Sequence, residues 1–211
     1  MPKPFNKLTA IAAPIMRGNI DTDVIIRIER LVGNSVRGTL GKWAFGALRY
    51  LPDGSQNPEF ILNREPYRQA EILITGPNFG CGSSREGAVW SLQEMGIRAV
   101  IGSSFGDIFF ANCFQNGILP IVVDKEIVDG LAAEVETTQG AGRVGIDLEA
   151  QTITSPTGRQ HHFAIDPRRR DGLLHGLDEV ALTLQRDNEI RAFQASDRTA
   201  RPWIHFARKP A

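Results

Sequence analysis

The sequence predicts an α/β protein, and three observations predict it. Short apolar runs of strand length alternate with helix-length segments through the middle of the 211 residues. A glycine-rich loop joins the first of these runs, Glu71 to Thr75, to the first helical segment. The later runs, Arg98 to Gly102 and Ile118 to Val123, each follow a helix, so parallel pairing with right-handed crossovers is the default geometry. A chain of this length buries roughly 70% of its unfolded surface, enough for one core without staples.

The elements follow in chain order. Lys3 and Lys7 precede an apolar run from Leu8 to Ala13, and Pro14 and Arg17 end it before a targeting segment develops, so it reads as the first strand. Next comes Asn19-Ile-Asp-Thr-Asp-Val-Ile-Ile26, with acids spaced i, i+2. In a strand Asp21 and Asp23 share a face; in a turn or cap they are ordinary residues. Residues 34–63, rich in Gly, Arg, Asp and Pro with the turn cluster DGSQNP at 53–58, read as a surface excursion. Glu71 to Thr75 is a buried strand and Gly76 to Gly82 a loop. Ser84 to Met95 is helical, because Ala88, Val89, Leu92 and Met95 recur at helical spacing and Gly96 supplies a stop. Arg98 to Gly102 is a strand, Gly106 to Gln115 a helix with Ile108, Phe109 and Phe114 as its bulky face, and Ile118 to Val123 a strand. Lys125 to Glu136 is a further helix. Arg143 to Thr154 and Gln160 to Ile165 flank the hairpin turn Ser155-Pro-Thr-Gly158. From Asp166 onward, Leu173, Leu174, Leu177, Val180 and Leu184 predict one or two packed helices, with the last dozen residues loosely held.

Composition excludes several classes of function. With 24 basic against 24 acidic side chains, the chain lacks the basic excess of a nucleic-acid-binding domain. Its longest uncharged stretch, Ile108 to Val123, has 16 residues and falls short of a membrane helix. Two cysteines, Cys81 and Cys113, point to a reducing, cytoplasmic setting, and Cys81 reads as a packing residue rather than a nucleophile. The four histidines, His161, His162, His175 and His205, lack metal-ligand spacing and read as structural or surface residues. Arg168-Arg169-Arg170 reads as a solvated first helical turn rather than an anion site.

The chemistry-bearing stretch is Gly76-Pro-Asn-Phe-Gly-Cys-Gly-Ser-Ser-Arg-Glu86. It passes into a helix at Ser83 or Ser84, and a helix start presents unpaired N–H groups and partial positive charge to an anion. Arg85 adds a fork suited to a carboxylate. Ser83 or Ser84, held among those N–H groups, is a candidate base or nucleophile. The same residues also spell a capping box, Ser83-x-x-Glu86, in which the serine oxygen and the glutamate satisfy the helix end. Spacing alone leaves both readings open. The loop is neither a Walker loop nor a dinucleotide fingerprint.

Together these residues resemble the small-subunit family of the 3-isopropylmalate dehydratases and, beyond it, the C-terminal swivelling domain of aconitase. The resemblance spans nearly the whole chain: NIDTDVII at 19–26, NPEFILN at 57–63, GPNFGCGSSRE at 76–86, GIRAVIGSSFGDIFFANCFQNGILPIVV at 96–123 and GLDEVALTLQ at 176–185. It implies a swivelling β/β/α domain over residues 1–165, with a helical extension over 166–211 packed on it. It also implies a large-subunit partner holding a [4Fe-4S] cluster, since two cysteines cannot ligate a cubane, and inactivity of this chain alone. The implied reaction is dehydration and rehydration of a hydroxy dicarboxylate, interconverting 2- and 3-isopropylmalate in leucine biosynthesis, with the cluster's iron as Lewis acid. In that scheme Ser83 is the base, Ser84, Arg85 and Gly82 bind the carboxylate, and Asp23 of the TD-x-I motif supports the site. Ser83 would then both begin the helix and carry the reactive oxygen.

Two places depart from the family pattern. Gly87 stands where relatives usually have histidine, and Arg27-Ile-Glu-Arg-Leu31 lacks the proline that commonly follows the isoleucines. Both bear on the substrate's alkyl group, so the same chemistry on a citraconate-type or other alkylmalate substrate is the first alternative. A non-catalytic carboxylate-binding module and a stand-alone thiol or serine hydrolase are the others.

Overall fold

The computed structural model describes residues 3–32, 37–83 and 85–204. Its frame is two four-stranded sheets. The parallel sheet consists of β2 (Ala12–Ile15), β3 (Ile72–Thr75), β4 (Ala99–Gly102) and β5 (Leu119–Val122), in that spatial order. The antiparallel sheet consists of β1 (Lys7–Ala10), β6 (Val144–Asp147), β7 (Thr152–Thr154) and β8 (Gln160–His162). The apolar run expected as one first strand is therefore two. Lys7 to Ala10 pairs antiparallel with β6 and Ala12 to Ile15 pairs parallel with β3, and the chain changes sheets at buried Ile11. Pro14 and Pro120 lie in the two edge strands of the parallel sheet, where a missing N–H is tolerated.

Every strand of the parallel sheet is apolar on both faces, as a sheet covered on both sides requires. Ala12, Ile72, Ile74, Ala99, Ile101, Leu119 and Ile121 face a core shared with the antiparallel sheet and with α5 (Lys125–Thr137), through Val128, Leu131 and Val135. Their neighbours Ala13, Leu73 and Val100 face a second core with α3 (Glu86–Glu94) and α4 (Asp107–Gln115), through Ala88, Val89, Leu92, Phe109 and Cys113.

The connection from β2 to β3 holds α1 (Thr22–Ile25), α2 (Gly46–Arg49) and several 3-10 turns. Its described part within 37–63 is not the expected surface excursion. Leu40, Ala44, Phe45 and Leu62 are buried in the second core. Buried Asn63 replaces missing sheet bonds by donating to the carbonyls of Arg49 at 2.7 Å and Asn57 at 2.8 Å. Polar composition hid this wall because its core residues come in two short clusters, around Ala44 and Phe45 and around Leu62, separated by the turn-rich stretch.

Past α5, the segment expected as one flank of the hairpin is itself a hairpin, β6 and β7, whose turn uses Asp147 as acceptor for the Ala150 N–H at 2.9 Å. The described part of the tail forms three α-helices rather than one or two, α6 (Pro167–His175), α7 (Glu179–Leu184) and α8 (Asp187–Ala200), because Gly176 ends α6 in a left-handed conformation. Leu173 of α6 joins the first core, whereas α7 and α8 bury no residue. The three arginines of α6 are pinned: Arg168 pairs with Glu179, Arg169 lies over the Phe110 and Phe114 rings, and Arg170 donates to Gln151. His161 and His162 alternate on β8, and His205 lies outside the described residues.

Candidate active site

The loops leaving the carboxyl ends of β2, β3 and β4 converge, the usual place for a ligand in a parallel sheet. The loop after β3 runs between the other two. On one side the Asn19 N–H donates to the Pro77 carbonyl, the Gly80 N–H to Ile20 and the Thr22 N–H to Cys81, at 2.7–2.9 Å. On the other, the Phe79 N–H donates to Ser104 at 3.2 Å and the Gly106 N–H to Phe79 at 2.9 Å. Phe79 anchors the loop from below, buried and edge-on to Phe109 at 5.4 Å. Gly80 makes the turn above it at φ +72°, where a Cβ would sit 2.2 Å from the Phe109 ring. Only glycine satisfies both constraints.

The two acids of the 19–26 motif do not share a strand face, because the segment is a short helix. Asp21 caps α1, accepting from the Val24 N–H at 2.7 Å. Asp23, one residue into the helix, points across to the loop. Its carboxylate accepts a hydrogen bond from the Ser83 hydroxyl at 3.0 Å and pairs with the Arg85 guanidinium. The Arg85 side chain is 21% exposed and that of Asp23 48%. The structure thus brings together three of the predicted site residues. Gly82, at φ +88°, immediately precedes Ser83, and Asp21 lies close to it. Ser84 falls outside the described residues.

The predicted capping box does not form. Helix α3 begins at Glu86 with Arg85 as its cap residue and no side-chain cap bond. Ser83 lies upstream of the helix, so it does not begin it; its hydroxyl is committed to Asp23. Glu86 turns the other way and accepts from the Asn116 side-chain amide at 2.9 Å. Each group takes a non-local partner instead, Ser83 the Asp23 carboxylate as acceptor and Glu86 the Asn116 amide as donor. Neither Asn116 nor this division of the loop was visible in the sequence, since the partners come from distant segments.

Ser83 therefore has a carboxylate, not a nest of N–H groups, as its partner. The arrangement is a hydroxyl whose proton already has an acceptor, beside a guanidinium with donors to spare. Among the described residues no histidine bonds to Ser83, Asp23 or Arg85, so none of them completes a serine-hydrolase triad there.

The thiols do not fit an iron–sulfur cluster. Cys113 is fully buried on α4, where burial pushes its thiol well above the ordinary range, and Cys81 is half-buried in the loop. No group of three or more His, Cys, Asp or Glu side chains among the described residues could hold a metal ion. The two departures from the family pattern meet in space. A Cβ on Gly87 would lie 2.5 Å from a methyl of Leu31, so the leucine fills the place a side chain at 87 would take.

Comparison with known proteins gives a consistent result. Residues 2–126 match the aconitase C-terminal domain family and residues 129–167 a family described as LeuD_N. Residues 179–207 match the C-terminal domain family of the 3-isopropylmalate dehydratase small subunit. The chain is 52% identical to the 3-isopropylmalate dehydratase small subunit of Gluconacetobacter diazotrophicus, over 94% of this chain and 95% of that one. It is 48% identical to that of Cereibacter sphaeroides, over 95% and 98%. A crystal structure of 3-isopropylmalate dehydratase from Methanocaldococcus jannaschii shares the fold with a TM-score of 0.63 at 23% identity, covering 89% of this chain and 99% of that one.

Proposed function

Since the chain belongs to the family of 3-isopropylmalate dehydratase small subunits, we propose that the Ser83–Asp23–Arg85 constellation is its contribution to an active site shared with a large subunit. The enzyme is a hydro-lyase of leucine biosynthesis that interconverts 2-isopropylmalate and 3-isopropylmalate by losing and regaining water. One observation carries the assignment of roles: a hydroxyl and a guanidinium from the same loop converge on one carboxylate.

In this proposal Ser83 takes the proton from the carbon next to a substrate carboxylate while its own hydroxyl proton passes to Asp23. The acceptor is already hydrogen-bonded, so the transfer needs no rearrangement at the serine. Arg85 keeps one nitrogen on Asp23 and offers its remaining N–H donors to the substrate carboxylate, together with the backbone at Gly82 and with Ser84. In the reverse direction Ser83 returns the proton to carbon. The [4Fe-4S] cluster has no ligand set in this chain; we assign it to the large subunit, where it would supply the Lewis acidity for the hydroxyl that departs as the carbon loses its proton. We divide the chain into a swivelling domain, residues 1–165, and an extension, residues 166–211, joined through Leu173. We place the enzyme in the cytoplasm, where Cys81 and Cys113 remain thiols; no described helix is long and apolar enough to cross a membrane.

The naming of relatives about 50% identical supports isopropylmalate over another alkyl substrate, and the contact of Leu31 with Gly87 accounts for the two departures from the family pattern as packing. The test is anaerobic reconstitution with the large subunit, monitoring alkene formation from 3-isopropylmalate and shorter 2-alkylmalates. Ser83→Ala is expected to lower kcat by about 10²–10⁴ with little change in KM, and Arg85→Lys chiefly to raise KM. Near-normal turnover by Ser83→Ala would refute the role of the serine. Preference for a shorter alkylmalate would refute the substrate.

A further inference from the structure

Glu86 is the residue of the loop motif that this chemistry does not use, and the structure turns it away from the site. Arg85 reaches Asp23, whereas the Glu86 carboxylate accepts from Nδ2 of Asn116 at 2.9 Å. Asn116 caps the end of α4 and is only 6% exposed. Its amide is fully committed. Nδ2 also donates to the Asn112 carbonyl at 2.9 Å, and Oδ1 accepts from Arg37 at 2.6 Å. The Asn116 backbone carbonyl accepts from Gln93 of α3 at 2.7 Å. Arg37 is held in turn over the Trp90 ring, 4.4 Å from its centroid. A buried amide with every group engaged has one orientation, so the donor facing Glu86 is fixed.

The consequence is electrostatic. The proposed substrate is a dianion, and Glu86 carries a negative charge one residue from the arginine that receives it. Swinging free, that carboxylate would compete for Arg85 and lower the positive potential at the helix start. We infer that Asn116 is a positioning residue for the substrate site: by tying Glu86 back against α4, it keeps Arg85 open to a substrate carboxylate. This inference rests on the substrate role proposed for Arg85.

The test uses the enzyme reconstituted from both subunits, with steady-state kinetics on 3-isopropylmalate. Asn116→Ala is expected to raise KM roughly fivefold to tenfold, the effect of one charge released toward a partly solvated site, and the rise should shrink at high ionic strength. In a Glu86→Gln background the same Asn116→Ala change is expected to leave KM unmoved, because no charge remains to be released. Equal losses in both backgrounds, insensitive to salt, would show a merely structural asparagine and overturn the proposal. If Asn116→Ala does not fold, Glu86→Asp and Glu86→Gln decide the matter. The aspartate keeps the charge on an arm too short for Asn116, so KM must rise for Glu86→Asp and not for Glu86→Gln. Absence of turnover in the wild-type enzyme would overturn the substrate assignment and this inference with it. Wild-type turnover with KM unmoved by Asn116→Ala and Glu86→Asp would overturn the positioning role alone.

Discussion

Replacing Gly80 by alanine tests whether the loop is held as described. The residue sits at φ +72°, and the left-handed region costs a non-glycine residue roughly 1–2 kcal/mol. The added Cβ would lie 2.2 Å from Cγ of Phe109, inside van der Waals contact. That ring cannot retreat cheaply. It is 1% exposed, edge-on to Phe79 at 5.4 Å and stacked near Phe105 at 6.4 Å. Overpacking of this kind costs about 1–3 kcal/mol. The two effects together give about 2–5 kcal/mol, and for a chain of this length each kcal/mol lowers Tm by roughly 2–4 °C. Thermal unfolding followed by circular dichroism should therefore show Gly80→Ala melting on the order of 10 °C below wild type. The Cβ would meet Cγ and both Cδ atoms of the ring, so Phe109→Ala, which has none of them, removes the steric part but not the backbone part, and the pair should couple by about 1–2 kcal/mol. A Tm within about 2 °C of wild type, or full additivity with Phe109→Ala, would refute the reasoning.

Three further outcomes are expected. Gly87→Ala gains helix propensity of up to about 1 kcal/mol but displaces Leu31, so urea unfolding should show it more stabilising in a Leu31→Ala background than in wild type; equal effects would refute the contact. Burial raises the Glu134 carboxyl, but hydrogen bonds from Ser155 and Thr157 and the charge of Arg159 outweigh it and hold it below its ordinary value. Its stabilising contribution is therefore present above the unfolded-state pKa and lost as pH falls through the folded one. The Tm gap between wild type and Glu134→Gln should close as pH is lowered from about 6 to about 3, and a constant gap would refute it. Under native conditions a thiol reagent should modify Cys81 and spare fully buried Cys113, both reacting after denaturation; equal native rates would contradict the placement of Cys113.

What could be read in the chain before the fold was known follows a physical division. Strands β3, β4 and β5 and helices α4 and α5 were legible because their apolar spacing depends on local geometry alone. The break at Ile11 was not, because a continuous apolar run looks the same whether it has one pairing partner or two. Ser83-x-x-Glu86 was misleading for a related reason. Its residue types suit a local cap, and only three-dimensional proximity reveals that Asp23 and Asn116 bind them instead. Ser83, Arg85 and Asp23 were each recognisable as candidates, yet spacing could not say which of two acids faces the loop. Capping of α1 by Asp21 decides that question.

The change of sheets at Ile11 has a consequence for biosynthesis. A nascent chain can complete the parallel sheet once residues through Val122 have left the ribosome. Lys7 to Ala10, made well before, has no partner until Val144 to Asp147 emerge. Strand β1 thus waits through synthesis of the whole intervening segment as an unpaired edge. Arrest before Val144 would leave that edge, with Leu8 and Ala10, available to a second nascent chain, so elongation rate beyond Val122 bears on how much of the product escapes aggregation.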